Sequence, residues 1–284
     1  MRVLGIISSP RKPGNSELAA KEILKQFPDS WEKMMFNLND LDINSCRACY
    51  ACVPYGSKCR IKDDFEFVVR MIKHADKVVI AAPTYMLGGH TGIKRVLDRL
   101  ISLTSDSKRF RHSDCVLAIS YGYRDWYGLS KEDLILFARK FHLNVIGTAI
   151  LKATLPGDSV KGENLEKLHK LADILQHGID SLPEPSGKEL ECPLCSGTAL
   201  QIMPSARYRC AVCGGTGSLE FKDGGVSLLP DEDCYFRFSD EALNDHLDFL
   251  EEKKQLFLDT RSEIKKLQED YNSLNWWVTP ADLD

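Results

Sequence analysis

The stretch RVLGIISSPRKPGNS, residues 2–16, decides the fold class of this 284-residue chain. Its first half is a continuous apolar run, the pattern of a strand that is buried on both faces. Polar residues with Pro and Gly follow at once, and a helical pattern begins at Asn15. A buried strand that leads through a polar loop into a helix predicts the first unit of a parallel α/β sheet.

The same alternation of strand and helix continues to about residue 180. Strands are predicted over residues 2–8, 33–38, 77–82, 114–120 and 144–151. Helices are predicted over residues 15–27, 64–74, 93–103, 131–141 and 164–179. Five strands with covering helices at this length predict a flavodoxin-like, doubly wound, five-stranded parallel sheet.

The composition changes after this α/β region, and the sequence predicts three parts. Residues 1–181 form the flavodoxin-like domain, residues 189–235 a small β module, and residues 239–276 one long helix capped by Ser239. Pro and Gly make residues 181–188 a linker, and Asp223-Gly224-Gly225 marks a hairpin turn in the small module. The apolar stripe of the last helix must cover either the chain's own core or a second subunit.

Charge and hydropathy exclude several functional classes. The net charge of −4 gives no reason to expect binding to nucleic acid. The N-terminal apolar run is too short for a signal peptide, and no stretch approaches the ~20 apolar residues that span a bilayer. We therefore expect a cytoplasmic protein without a membrane segment. Eight of the ten cysteines fall into two clusters, which in a reducing compartment indicates metal binding.

The polar loop after the first strand is suited to a phosphate group. Backbone N–H groups at a helix N-terminus point at such an anion, hydroxyls donate further bonds, and an arginine neutralises its charge. The candidates for these contacts are Ser9, Arg11, Asn15 and Ser16. The alternative is a polar loop that only caps the helix through Asn15 or Ser16. The loop has neither the G-x-G-x-x-G nor the GK[ST] nucleotide motif.

Two blocks of sequence resemble the NADPH-dependent FMN reductase superfamily. The run ISSPRKPGNS from Ile7 resembles its phosphate loop, and APTYMLGG at residues 82–89, followed by GIKRVLDR, resembles the loop beside the isoalloxazine ring and the next helix. The resemblance implies bound FMN, with Pro83, Thr84, Tyr85, Met86 and Leu87 lining the flavin. On its own, the second block favours a strand-ending Pro turn with a core tyrosine; it is the two blocks in this order, each after a buried strand, that favour the flavin site.

A third loop follows the predicted fourth strand and faces the same crevice. It begins Ser120-Tyr121-Gly122, and its aromatic side chains either flank the flavin ring or pack on the surface. We include these three residues among the candidates for cofactor binding.

The first cysteine cluster is compact: Cys46, Cys49, Cys52 and Cys59 lie within fourteen residues. Cysteines at steps of three let one short loop wrap a cubane, which favours [4Fe–4S] over zinc. A zinc site, or a loop retained without its cluster, is the alternative. The motif resembles that of the iron–sulfur flavoprotein branch of the superfamily.

The second cluster has two CxxC pairs, Cys192 with Cys195 and Cys210 with Cys213. Their separation is that of a zinc ribbon, so we expect Zn²⁺ to supply much of the folding free energy of this small module. A rubredoxin-like iron suits the same four ligands.

Flavin and cluster together predict an electron-transfer flavoprotein without a catalytic acid, base or nucleophile of its own. The electron donor is expected to be NAD(P)H or a redox protein, and the resemblance implies a homo-oligomer, a dimer or tetramer. One alternative is an NAD(P)H-dependent reductase of quinones, flavins or metal ions with a structural cysteine loop. Another is a redox sensor or scaffold that binds a partner through the ribbon and the C-terminal helix.

Overall fold

A computed structural model gives the fold for residues 1–53, 57–103, 110–178, 190–222, 224–272 and 276. The first six strands are β1 (Arg2–Ile7), β2 (Glu32–Asn37), β3 (Lys77–Tyr85), β4 (Gly88–Gly89), β5 (Asp114–Tyr121) and β6 (Asn144–Lys152). Five of them pair in parallel in the order β2-β1-β3-β5-β6, and β4 adds to β3 as an antiparallel hairpin. This order confirms the predicted flavodoxin-like sheet.

Five helices cover the two faces of the sheet. They are α1 (Asn15–Lys25), α2 (Phe65–Lys73), α3 (Thr91–Leu97), α4 (Ser130–Lys140) and α5 (Gly162–His177). Helices α1 and α5 enclose one apolar core, and α2, α3 and α4 enclose the other. In α2 the buried side chains recur on one stripe, at Phe65, Val68, Val69 and Ile72, as an amphipathic helix requires.

Helix α3 begins two residues before the predicted start. The imidazole of His90 accepts a hydrogen bond from the backbone N–H of Gly92 at 3.2 Å and so caps the first turn. The helix ends at Leu97, and a tighter helical turn follows at residues 100–103. The sequence pattern does not distinguish this turn from a continuous helix, because both place apolar residues on the same face.

The small module is a four-stranded antiparallel sheet. Its strands are β7 (Leu200–Met203), β8 (Arg207–Cys210), β9 (Thr216–Lys222) and β10 (Gly225–Pro230), in the order β10-β9-β8-β7. Lys222 pairs with Gly225, so the predicted hairpin is present, and Gly224 has the positive φ (+75°) of a tight turn. Asp223 and the predicted linker at 181–188 lie outside the described residues.

The C-terminal helical region is divided. Helix α6 (Asp240–Asp259) is capped by Ser239, whose hydroxyl accepts from the N–H of Ala242 at 3.1 Å, as predicted. At Thr260 the hydroxyl donates to the carbonyl of Leu256, and the carbonyl of Thr260 accepts from Ile264 to start α7 (Arg261–Asn272). The predicted single helix is therefore two helices, because Thr260 ends one and begins the other.

The small module lies against α4. Glu191 pairs with the buried Lys131 at 2.6 Å, and the carboxylate of Glu132 accepts from both the N–H (2.9 Å) and the hydroxyl (2.7 Å) of Thr198. The cysteines of the module belong to the same apolar core as α4. In the described part of the chain, no helix combines the length and apolar character needed to cross a bilayer.

Candidate functional site

A crevice of about 220 Å³ opens at the carboxyl ends of the parallel strands. The last residues of β3 and β5, the start of α1 and the loops after β1, β5 and β6 contribute its walls. The lining residues are Ser9, Arg11, Asn15, Ser16, Pro83, Thr84, Tyr85, Ser120, Tyr121, Gly122, Ala153 and Thr154. The structure thus brings together all the predicted cofactor-binding residues except Met86 and Leu87.

Met86 and Leu87 form the tip of the hairpin between β3 and β4. Both have positive φ (+49° and +65°), as a two-residue turn requires, and the Met86 side chain is 99% exposed. The carbonyl of Leu87 accepts from the N–H of Leu129 at 2.7 Å, which ties the tip to the approach to α4. Neither residue is among those that line the crevice.

Ala153 and Thr154 are lining residues that the sequence reasoning missed. They follow β6, and the hydroxyl of Thr154 donates to the carbonyl of Gly122 at 2.6 Å, which joins the last two crevice loops. The rule that ligands lie beyond the carboxyl ends of parallel strands applies to the last strand as well, and it would have found them.

The start of α1 is built as an anion site. Its N-cap is Gly14, without a side-chain cap, so the first N–H groups of the helix have no helical acceptor. The hydroxyl of Ser16 is buried, lines the crevice, and has no hydrogen-bond partner in the described structure. A Cβ on Gly14 would lie 2.8 Å from the carbonyl oxygen of Arg11, so the loop can pass this closely only with glycine. These features fit a phosphate group, and the capping alternative fails because neither Asn15 nor Ser16 is the N-cap.

The side chain of Asn15 serves another purpose than the predicted phosphate contact. Its amide nitrogen donates to the carbonyls of Ala153 (3.1 Å) and Leu155 (3.0 Å), and its oxygen accepts from the N–H of Gly157 at 2.9 Å. The side chain therefore fixes the loop after β6 against α1. An anion at the start of α1 can instead be bound by the backbone N–H of Asn15, which lies in the first turn of the helix.

Ser9 is held in place by Asn37. The amide of Asn37 donates to the Ser9 carbonyl at 2.7 Å and accepts from the Ser9 N–H at 3.2 Å. The Ser9 hydroxyl accepts from the N–H of Arg11 at 3.3 Å, and the guanidinium of Arg11 is exposed. These hydrogen bonds anchor the loop at Ser9, and Arg11 places a cation at the opening of the crevice.

The other end of the crevice is aromatic. Tyr85 contacts His90 edge-on, with 5.6 Å between ring centroids, and Tyr121 contacts Tyr127 in the same way at 5.7 Å. Thr84 shares a hydrogen bond of 2.8 Å with Ser130, the first residue of α4. Burial lowers the pKa of His90, as does the charge of Arg95, so the imidazole is neutral near pH 7.

The first cysteine set lines a second cavity, of about 150 Å³. Cys46, Cys49, Cys52 and Cys59 all contribute to it, together with Asp98 and Ile101, which follow α3. Burial raises the pKa of the Cys52 thiol, and the neighbouring Cys59 raises it further. Four thiols around one cavity fit a cluster of iron and sulfide, whose binding displaces the thiol protons.

The second cysteine set forms a compact buried site. The sulfurs of Cys192, Cys195, Cys210 and Cys213 all lie within 4.8 Å of one another. Cys192 lies 3.6 Å from Cys213, and Cys195 lies 3.6 Å from Cys210. Across the described ranges, this is the one group of Cys, His, Asp or Glu side chains gathered closely enough for a single metal ion. The two CxxC segments thus bring together the four sulfurs that the spacing predicts as metal ligands.

The model of the NADPH-dependent FMN reductase family matches residues 1–154, more than half of the chain. The chain belongs to this family. As a member, it is an FMN-dependent oxidoreductase. The matched residues include the crevice loops and the first cysteine set, whereas the small module and the C-terminal helices lie beyond them.

Curated relatives of this family member are iron–sulfur flavoproteins. One from Archaeoglobus fulgidus is 24% identical over 200 residues, which cover 67% of this chain and 87% of the relative. Another, from Methanocaldococcus jannaschii, is 34% identical over 100 residues, which cover 35% of this chain and 51% of the relative. These matches confirm the predicted resemblance to the iron–sulfur flavoproteins.

The solved structure of a flavone reductase has the same fold. It superposes with a TM-score of 0.73 at 18% identity and covers 99% of this chain and 100% of the flavone reductase chain. The structural match therefore includes the part of this chain beyond residue 154. At this identity it bears on the fold alone.

Proposed function

We propose that this protein passes electrons between FMN, bound in the crevice, and a [4Fe–4S] cluster held by Cys46, Cys49, Cys52 and Cys59. The observation that carries the proposal is the course of α3. His90, at its start, contacts Tyr85 in the crevice, and Asp98 and Ile101, just beyond its end, line the cysteine cavity. The helix has seven residues, so it spans about 10 Å at 1.5 Å per residue.

The chain's own residues would bind and orient the flavin. The free N–H groups of α1 and the hydroxyls of Ser9 and Ser16 bind its phosphate, and Arg11 neutralises charge at the opening. Thr84, Tyr85 and Tyr121 lie at the ring end, where Ser130 fixes the Thr84 hydroxyl. When bound, the flavin supplies two-electron chemistry and the cluster one-electron chemistry. No side chain is assigned a proton-transfer role.

For the small module we propose a structural Zn²⁺ on Cys192, Cys195, Cys210 and Cys213. Four buried sulfurs in a module of four short strands support this role, because a bound metal contributes directly to folding free energy. Iron suits the same ligands, and metal analysis of the purified protein separates the two.

We further propose a cytoplasmic homo-oligomer that takes electrons from NAD(P)H or from a redox protein. Tyr123, Trp126 and Leu129 follow the crevice loop after β5 and are more than half exposed. Large apolar side chains grouped beside a binding site are typical of a surface that another molecule covers. Sedimentation of the holoprotein tests the oligomer directly.

Spectroscopy of anaerobically purified protein tests the main proposal. Visible and EPR spectra should show flavin bands together with a reducible cluster, and iron and acid-labile sulfide should be present in equal amounts. Cys49→Ala should remove the cluster signals and leave the flavin bands. Zinc in place of iron at the first cysteine set would reject the cluster.

A second function remains a candidate because Cys46 and Cys49 are exposed. If the loop is only structural, the protein is an NAD(P)H-dependent reductase of quinones, flavins or metal ions. NAD(P)H oxidation that survives Cys49→Ala at the wild-type rate would favour this function. Transfer to a one-electron acceptor that stops in the same variant would favour the cluster pathway.

A further inference from the structure

Arg99 is a buried cation beside the first cysteine set. It follows α3, and its side chain is 1% exposed. A nitrogen of its guanidinium, Nη2, lies 3.4 Å from the sulfur of Cys59, and its plane covers the ring of Phe65 at 4.3 Å. Long cationic side chains are seldom this buried unless they are paired, so the position needs an explanation.

The partner of Arg99 is Asp63. Nη1 of the guanidinium donates to the Asp63 carboxylate, which also accepts from the N–H of Asn44 at 2.9 Å and of Phe65 at 3.2 Å. Burial alone would raise the pKa of Asp63, but these hydrogen bonds and the charge of Arg99 bring it below its usual value. The carboxylate is therefore ionised and fixed, and it holds the guanidinium in one orientation against Cys59.

The protein contacts of this ion pair do not use all the hydrogen-bond donors of Arg99. Nε of Arg99 is buried and has no partner in the described structure. Such a donor costs free energy unless a ligand accepts from it, and the adjacent cavity is the one that Cys59 lines. The guanidinium thus offers a hydrogen bond to a ligand sulfur and a further unused donor nearby.

We propose that Arg99 is the residue that sets the reduction potential of the cluster, through its hydrogen bond to Cys59 and its buried charge, and that Asp63 opposes it. This inference rests on the proposed function. Reduction adds negative charge to the cluster, and hydrogen bonds to its sulfurs and nearby positive charge favour that state. Arg99 therefore raises the potential, and the carboxylate of Asp63 limits the rise.

A purely structural role predicts something different. If Arg99 only anchors the loop between Cys59 and Asp63, removing either partner breaks the same contact and shifts the potential in the same direction. An electrostatic role predicts opposite directions, because one substitution removes a positive charge and the other a negative one. The sign of the two shifts separates the roles.

The experiment is a redox titration of the anaerobic holoprotein, followed by the EPR signal of the reduced cluster. Arg99→Gln should favour the oxidised cluster at least tenfold, a fall of about 59 mV for one electron. Asp63→Asn should shift the midpoint upward. The matched control is Arg60→Gln, because Arg60 lines the same cavity but is exposed, and solvent screens its charge. Its shift should be clearly smaller.

Each outcome decides between the alternatives. Equal shifts in Arg99→Gln and Arg60→Gln, or a downward shift in Asp63→Asn, would overturn the proposal. If the Arg99→Gln protein does not retain the cluster, Arg99→Lys is measured instead. Lysine keeps the positive charge but lacks the planar set of N–H donors, so the potential should fall by an intermediate amount. A wild-type protein without any cluster signal would instead overturn the proposed function itself.

Discussion

Replacing Ser16 by alanine should affect flavin binding and the stability of the flavin-free protein in opposite directions. The Ser16 hydroxyl is buried and has no partner in the described structure, so the flavin-free protein carries the cost of an unsatisfied polar group. Removing it should leave the free energy of unfolding unchanged or raise it by up to about 1 kcal/mol. The same hydroxyl should donate to the FMN phosphate in the complex.

A hydrogen bond to a charged group is worth about 1.5–3 kcal/mol, so Ser16→Ala should weaken FMN binding by roughly 10- to 150-fold. The control is Ser159→Ala, because the Ser159 hydroxyl is equally buried and unpartnered but does not line the crevice. Quenching of flavin fluorescence gives the dissociation constant, and urea unfolding of the flavin-free protein gives the stability. The reasoning is refuted if both variants bind FMN as the wild type does, or if both lose affinity equally.

Three further predictions concern the supporting structure. Asn15→Ala removes four hydrogen bonds to the segment after β6 and should cost about 2–4 kcal/mol in urea unfolding, whereas the exposed Asn39→Ala should cost little. Burial, and then His112, lower the pKa of His142. Stability should therefore decline as the pH falls below the ordinary histidine value of 6.5 and through the lowered folded value, and His142→Gln should flatten this slope. Chelation of the metal should expose β7–β10 to protease while FMN stays bound; an unchanged cleavage pattern would count against a structural metal.

The sequence predicts the crevice well because its determinants are local. A buried strand followed by a polar loop and a helix places Ser9 and Ser16 at the carboxyl edge of the sheet, whatever the rest of the chain does. Met86 and Leu87 differ because their placement depends on a two-residue turn with positive φ at both positions, which Met and Leu do not signal. The turn also depends on a hydrogen bond from the N–H of Leu129, forty-two residues later, to the Leu87 carbonyl, and no local sequence pattern indicates this contact.

Arg99 illustrates a second limit of sequence reasoning. In a helical pattern an arginine is expected at the surface, and its partner Asp63 lies thirty-six positions earlier in the chain. Only the packing of α3 against the cysteine loop brings the two together. The division of the C-terminal helix at Thr260 is missed for a related reason, since the apolar stripe continues through it while the backbone hydrogen bonds do not.

The flavodoxin-like topology explains how one crevice can be connected to two cysteine sites. Helices that follow parallel strands begin at the carboxyl edge, so α3 and α4 both start at the crevice, at His90 beside Tyr85 and at Ser130 bonded to Thr84. The chain after α3 brings Arg99 to Cys59. In α4, burial lowers the pKa of the half-buried Arg139, and negative charge on Cys195 opposes this shift. In both arginines Nε is buried without a partner in the described structure. A buried guanidinium is costly unless negative charge compensates it, and metal-bound thiolates provide such charge. Occupied cysteine sites would therefore stabilise the far ends of the two helices that start beside the crevice.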